Sequence, residues 1–127
     1  MANISTLNRI KEISAAIDGK LGQVGRCRHY SFILKKNRIV SVGFNKYNKT
    51  HPILQKFNYP KYSGVHSEIS AILKNGLTDC AGLTIVNTRI NNNGKFDNAA
   101  PCKYCAGMIK EMNFKDIIFT NKNGNWT

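Results

Sequence analysis

Val65-His66-Ser67-Glu68-Ile69 and, further along, Pro101-Cys102-Lys103-Tyr104-Cys105 are the stretches on which the reading of this chain turns. Their residue types include three zinc ligands, His66, Cys102 and Cys105, and a catalytic zinc takes three protein ligands while keeping a fourth position for water. On a helix that begins just after Pro101, Cys102 and Cys105 lie one turn apart and share a face. Proline suits that start because its missing N–H would have no partner there. Thiols in a first helical turn also meet the positive end of the helix dipole, which favours the thiolate. His66 is expected to open a second helix running to about Lys74, with Ile69, Ile72 and Leu73 at helical spacing. Glu68 stands roughly 200° around that helix from His66, so it is placed beside the metal rather than on it. A carboxylate there can take a proton from an activated water and hand it to a leaving group.

A closed structural zinc site, or two ordinary buried cysteines and a surface histidine, would use the same residue types. A structural zinc would want a fourth Cys or His, and Cys27, Cys80, His29 and His51 sit in no paired spacing. The order His-x-Glu followed by Pro-Cys-x-x-Cys resembles the cytidine/deoxycytidylate deaminase superfamily of zinc-dependent nucleobase deaminases. The resemblance implies a Zn2+ cofactor and hydrolytic replacement of an exocyclic amine by oxygen.

At 127 residues the chain is expected to form one domain. No apolar run approaches the length of a bilayer span and the N-terminus lacks a signal-peptide pattern, so a cytoplasmic protein without a membrane partner is expected. The cysteines make no disulfide framework, and Cys27 and Cys80 are expected to be free thiols. Nineteen Lys and Arg against seven Asp and Glu give a formal charge of +12. Such a balance favours phosphate-bearing partners, although the basic residues are spread along the chain and fit a solvated surface equally well.

In chain order, Ile4, Leu7, Ile10, Ile13 and Ile17 predict an amphipathic helix from Asn3 to about Ile17, capped by Asn3 or Ser5. Asp18-Gly19 through Gly25 reads as a connector. Arg28 to Leu34 and Arg38 to Phe44 read as a β-hairpin around Lys35-Lys36-Asn37. Gly43-Phe44-Asn45 then opens a long basic loop to Gly64, in which Lys46, Lys49, His51, Lys56 and Lys61 alternate with Tyr47, Phe57, Tyr59 and Tyr62. Basic residues interleaved with aromatics can hold phosphates and stack bases, and Tyr62 is close enough to His66 in sequence to form a pocket wall. Leu83 to Ile90 is a third strand, Asn91 to Ala100 a connection with a tight turn at Asn92-Asn93-Gly94-Lys95, Cys102 to about Asn113 a helix, and Asp116 to Thr120 a fourth strand. The last two strands should be parallel, as in a βαβ unit. After the turn Asn121-Lys122-Asn123-Gly124, only a stub of an antiparallel strand is expected. The resemblance implies an α/β, cytidine-deaminase-like three-layer fold, a mixed β-sheet with helices on both faces. It also implies that Asn45 meets the sugar or base edge of a substrate. Backbone N–H groups near Ser67 and Cys102 are placed to hold a developing oxygen.

These features point first to deamination of a free cytosine nucleotide or nucleoside, with deoxycytidylate preferred. Free-nucleoside deaminases of the superfamily more often carry Cys where this chain has His66. The alternative is editing of single-stranded DNA or RNA, favoured by the charge and disfavoured by the short segment after the fourth strand. A catalytically silent zinc module would have no need of Glu68. The zinc machinery is the same for cytosine, adenine and guanine, so the base itself is not read from the sequence. Self-association into a dimer or larger homo-oligomer is expected to complete the pocket.

Overall fold

The computed structural model describes residues 2–21, 28–45, 66–74, 76 and 79–127. Its elements are α1 (Ile4–Leu21), β1 (Arg28–Lys35), β2 (Arg38–Phe44), α2 (Ser67–Lys74), β3 (Leu83–Ile90), α3 (Lys103–Glu111) and β4 (Asp116–Phe119). Among the described residues the strands form one sheet of order β2-β1-β3-β4. β1 runs antiparallel to both β2 and β3, while β4 is parallel to β3. The β3–α3–β4 connection supplies the helical crossover that a parallel pair requires.

Successive side chains of a strand point to opposite faces, and this divides the core in two. Tyr30, Phe32 and Leu34 of β1, with Val86 and Ile90 of β3, meet Leu7 and Ile10 of α1. On the other face Ile33 and Ile85 meet Ile69, Ala71 and Ile72 of α2 together with Cys105, Met108 and Ile109 of α3. Helices therefore cover both faces of a mixed sheet, as expected. β1 and β3 are buried along almost their whole length, polar positions such as Ser31, Asn87 and Thr88 included.

α1 starts at Asn3, whose Oδ1 accepts the Thr6 N–H at 2.8 Å, satisfying one of the helix's orphan donors. The helix continues to Leu21, so Asp18 and Gly19 belong to it and not to the connector expected from Asp18 onward. The local turn signal loses to tertiary pairing. Asp18 Oδ1 accepts hydrogen bonds from Arg28 Nε and the Tyr30 hydroxyl, and both partners are buried at the start of β1. That anchorage outweighs the ~1 kcal/mol that a helical glycine costs relative to alanine. Asp18→Ala removes the carboxylate that Arg28 Nε and the Tyr30 hydroxyl share in the interior and is expected to cost about 2 kcal/mol, read as a lowered urea midpoint with an unchanged slope.

Two contacts set the height of α2 above the sheet. Ser41 Oγ donates to the Ala71 carbonyl at 2.6 Å. At Gly43 the strand and helix backbones approach so closely that a Cβ would lie 2.2 Å from Ala71 N and 2.6 Å from Ser67 O. Gly76, with φ +59, ends the α2 region by donating its N–H to Leu73 O, a helix stop that glycine adopts without strain.

Past β3 the chain turns at Asn91–Lys95, where Asn91 N donates to Lys95 O at 2.9 Å, and comes back along its own path. Phe96 bridges Ile90, Asp97 N donates to Arg89 O at 2.9 Å and Ala99 N to Thr120 O at 2.8 Å. The long connection is thus a hairpin laid against the ends of β3 and β4, and it delivers Pro101 and Cys102 to the start of α3. Asn121–Asn125 repeats the same turn after β4, with Asn121 N donating to Asn125 O at 2.7 Å. Thr127 then pairs antiparallel with Phe119, N to O at 2.8 Å, which is the expected stub.

Candidate metal centre and active site

Cys102 is the N-cap of α3, and its Sγ accepts the Cys105 N–H at 3.5 Å. His66 immediately precedes α2, its carbonyl accepting the Ser70 N–H at 3.0 Å. The two helix starts meet. His66 Nδ1 lies 3.4 Å from Cys105 Sγ and 3.7 Å from Cys102 Sγ, and all three donor atoms fall within 4.8 Å of one another. Tetrahedral zinc, with Zn–S about 2.3 Å and Zn–N about 2.0 Å, places its ligand atoms roughly 3.6 Å apart, so this set fits the ion. The Cys102 thiol is drawn down to about 5, chiefly by the hydrogen bond from the Cys105 side chain, with the Cys105 N–H and His66 assisting and burial opposing. It is a thiolate at neutral pH, the form that binds metal.

Glu68 is nine-tenths buried beside this cluster, with 6% of its surface exposed. Its Oε1 lies 3.1 Å from Ser67 Oγ and its Oε2 takes a hydrogen bond from Asn87 Nδ2 at 3.2 Å. Ser67 Oγ is 2.7 Å from Ser31 Oγ, which in turn donates to Asn87 Oδ1 at 2.7 Å. The four side chains form a closed ring. Ser67 Oγ donates to Glu68 Oε1, so the carboxylate accepts from both the hydroxyl and the Asn87 amide. Burial pushes the Glu68 carboxyl above its ordinary range, against the pull of its own backbone N–H, of His66 and of the Ser67 hydroxyl. Glu68 is therefore seated where it can both hold a proton and give it up.

The structure brings together His66, Glu68, Cys102 and Cys105 as the sequence indicated. Ser67 is also present, but its hydroxyl is turned into the ring and is 1% exposed. Asn45 sits one step past β2, its Oδ1 accepting the His29 N–H at 3.0 Å. Tyr62 and the basic loop from Lys46 onward lie outside the described residues. Sequence reasoning did not single out Ser31, Asn87, His29 or Arg89 as a group. Ser31 faces Asn87 and His29 faces Arg89 across the β1–β3 pair, on the sheet face that carries Ile33 and Ile85 deeper in. The detectable signal is polar residues at inward positions of otherwise apolar strands.

His29 is pushed down to about 4, first by burial and then by the charges of Arg89 and His66. Its unfolded value is near 6.5, so the neutral ring costs nothing above pH 6.5, and stability is lost as the pH falls from there towards 4. Metal-free protein is expected to lose about 2 kcal/mol more between pH 7 and pH 5 than its His29→Gln variant. Urea unfolding at the two pH values measures this; equal losses would place His29 in contact with water.

Residues 12–121 match the family described as the cytidine and deoxycytidylate deaminase zinc-binding region. Among solved structures the chain is similar to the dCMP deaminase of the cyanophage S-TIM5. The form in complex with dCMP and dUMP superposes with a TM-score of 0.61 at 16% identity, covering 95% of this chain and 85% of that one. The apo form gives 0.54 at 21% identity, covering 89% and 83%. A search of curated proteins gives no significant match. At these identities the likeness to the phage enzyme is one of fold.

Proposed function

This chain belongs to the cytidine and deoxycytidylate deaminase family as a zinc-dependent hydrolytic deaminase, and from that premise we propose that it converts a free cytosine nucleotide, deoxycytidylate before deoxycytidine, to its uracil counterpart. The observation that carries this reading is a buried, hydrogen-bonded Glu68 next to a converging His66, Cys102 and Cys105. Zinc held by these three residues supplies Lewis-acid activation of water at neutral pH. Glu68 takes a proton from the attacking water as its oxygen bonds to C4, and the C4–N3 double bond gives its electron pair to N3, which receives that proton. Glu68 then passes the second water proton to the amine, the C4–N bond breaks, and ammonia leaves. First-turn N–H groups of α2 and α3, near Ser67 and Cys102, face the developing oxygen. Asn45 meets the sugar or base edge.

Three things favour a phosphate on the substrate: the +12 charge, His66 in place of a cysteine, and the dCMP and dUMP bound by the similar phage enzyme. The charge is also what favours single-stranded nucleic acid as the alternative partner. Among the described residues no helix is long and apolar enough to cross a membrane, and the same reading has the enzyme working in the cytoplasm as a homo-oligomer. A monomeric mass by light scattering at micromolar concentration would remove the oligomer. Ammonia release is measured in parallel from deoxycytidylate, deoxycytidine and a cytosine-containing single strand, with Glu68→Ala as control. Deoxycytidylate is expected to be turned over with at least tenfold higher kcat/KM than deoxycytidine; turnover of the strand alone overturns the reading.

A further inference from the structure

We infer that Asn87 is the positioning residue of this site, a single buried amide that gauges the Glu68 carboxylate against the segment carrying the metal-binding cysteines, with Ser31 as the group that orients it. Asn87 lies in the middle of a central strand and is 2% exposed, between the fully buried Val86 and Thr88. An unpaired amide there would cost several kcal/mol, so its hydrogen bonds define its role. Oδ1 accepts from Ser31 at 2.7 Å, while Nδ2 reaches Glu68 Oε2 at 3.2 Å and the Ala99 carbonyl at 3.5 Å. The orientation of the amide is forced, because the Ala99 carbonyl can only accept and Ser31 has a proton to give. Ala99 stands three residues ahead of Cys102, and its N–H is pinned to Thr120. One NH2 group therefore touches both the proton carrier on α2 and the connection that leads into α3. Ser31 is the residue directly opposite in the β1–β3 register, so the antiparallel pairing itself holds the amide in place.

The kinetic part of the test rests on the deaminase reading. Asn87→Asp keeps the size of the side chain and removes both donors, and Ser31→Ala removes the orienting hydroxyl while leaving Asn87. Both variants are expected to lose about 10- to 100-fold in kcat, with KM within threefold of the native value and one zinc still bound per chain. Ser31→Thr, which restores a hydroxyl, is expected to recover most of the loss. In the double variant the losses do not multiply, because Ser31 acts through Asn87. Crystal structures of the variants are expected to show the Glu68 carboxylate displaced, with His66, Cys102 and Cys105 in place. If Asn87→Asp retains kcat within twofold with zinc bound, or if Glu68 has not moved in either variant, the inference is wrong. Zinc loss in step with the kcat loss would reduce Asn87 to a packing residue and also overturn it. If the native chain itself releases no ammonia, the deaminase reading fails, while the position of Glu68 in the variant structures still decides the role of Asn87.

Discussion

Glu68→Gln is expected to release ammonia at least about 10^3-fold more slowly than the native chain, with one zinc still bound and an undiminished thermal midpoint. The substitution separates chemistry from structure unusually well in this site. A glutamine amide can still accept from Asn87 Nδ2 through its oxygen, and its nitrogen can donate to Ser67 Oγ where the native carboxylate accepts, so both contacts are kept. What it cannot do is take a proton from water. The comparison needs ammonia release, zinc content and melting measured on the same preparations. Activity within tenfold of native would mean that the proton carrier is some other group.

Gly43→Ala carries the second large effect, an expected loss of about 3 kcal/mol, or roughly 10 °C in thermal midpoint, together with most of the zinc affinity. The clash is with backbone: the new Cβ would sit 2.2 Å from Ala71 N, 2.6 Å from Ser67 O and 2.8 Å from Ala71 Cα. No side chain can rotate away to relieve it, so α2 as a whole must lift from β2. His66 and Glu68 ride on the front of that helix, whereas Cys102 and Cys105 belong to α3. The lift therefore separates the metal ligands from one another. Gly107→Ala is the matched control, because a Cβ at that helical position meets nothing within 4 Å, and alanine there is expected to be neutral or stabilising by about 0.5–1 kcal/mol. A Gly43→Ala protein that melts and binds zinc like the native chain would show that the close approach can relax.

The metal ligands, Glu68 and the four strands were legible because each rests on local spacing: Cys102 to Cys105, His66 to Glu68, and the apolar runs at Tyr30–Leu34 and Leu83–Val86. What surrounds Glu68 was not. Ser31 and Asn87 are ordinary polar residues until β1 is laid against β3 in a particular register, and no local pattern states that register. Ser67 was singled out for its backbone N–H, whereas the place of its hydroxyl in the ring depends on Ser31, 36 residues away. Asp18 and Gly19 look like a turn to any local rule, yet among the described residues Arg28 and Tyr30, on another element, hold Asp18 in the helix. In each case the deciding partner is distant in sequence.

The order of strands in the sheet has a consequence for how the chain acquires activity. β1 and β2 are hairpin neighbours and can close within microseconds, but β1 finds its other partner much later in the chain. The links of the ring around Glu68 span 36 residues from Ser31 to Ser67, 56 from Ser31 to Asn87 and 19 from Asn87 to Glu68. The entropy of closing such long loops is spent before the contacts return anything. A nascent or half-refolded chain can hold its hairpin and its first helix while the ring around Glu68 does not yet exist. Return of deaminase activity during refolding thus times the docking of β3 on β1, and the enzyme is silent until its sheet is complete.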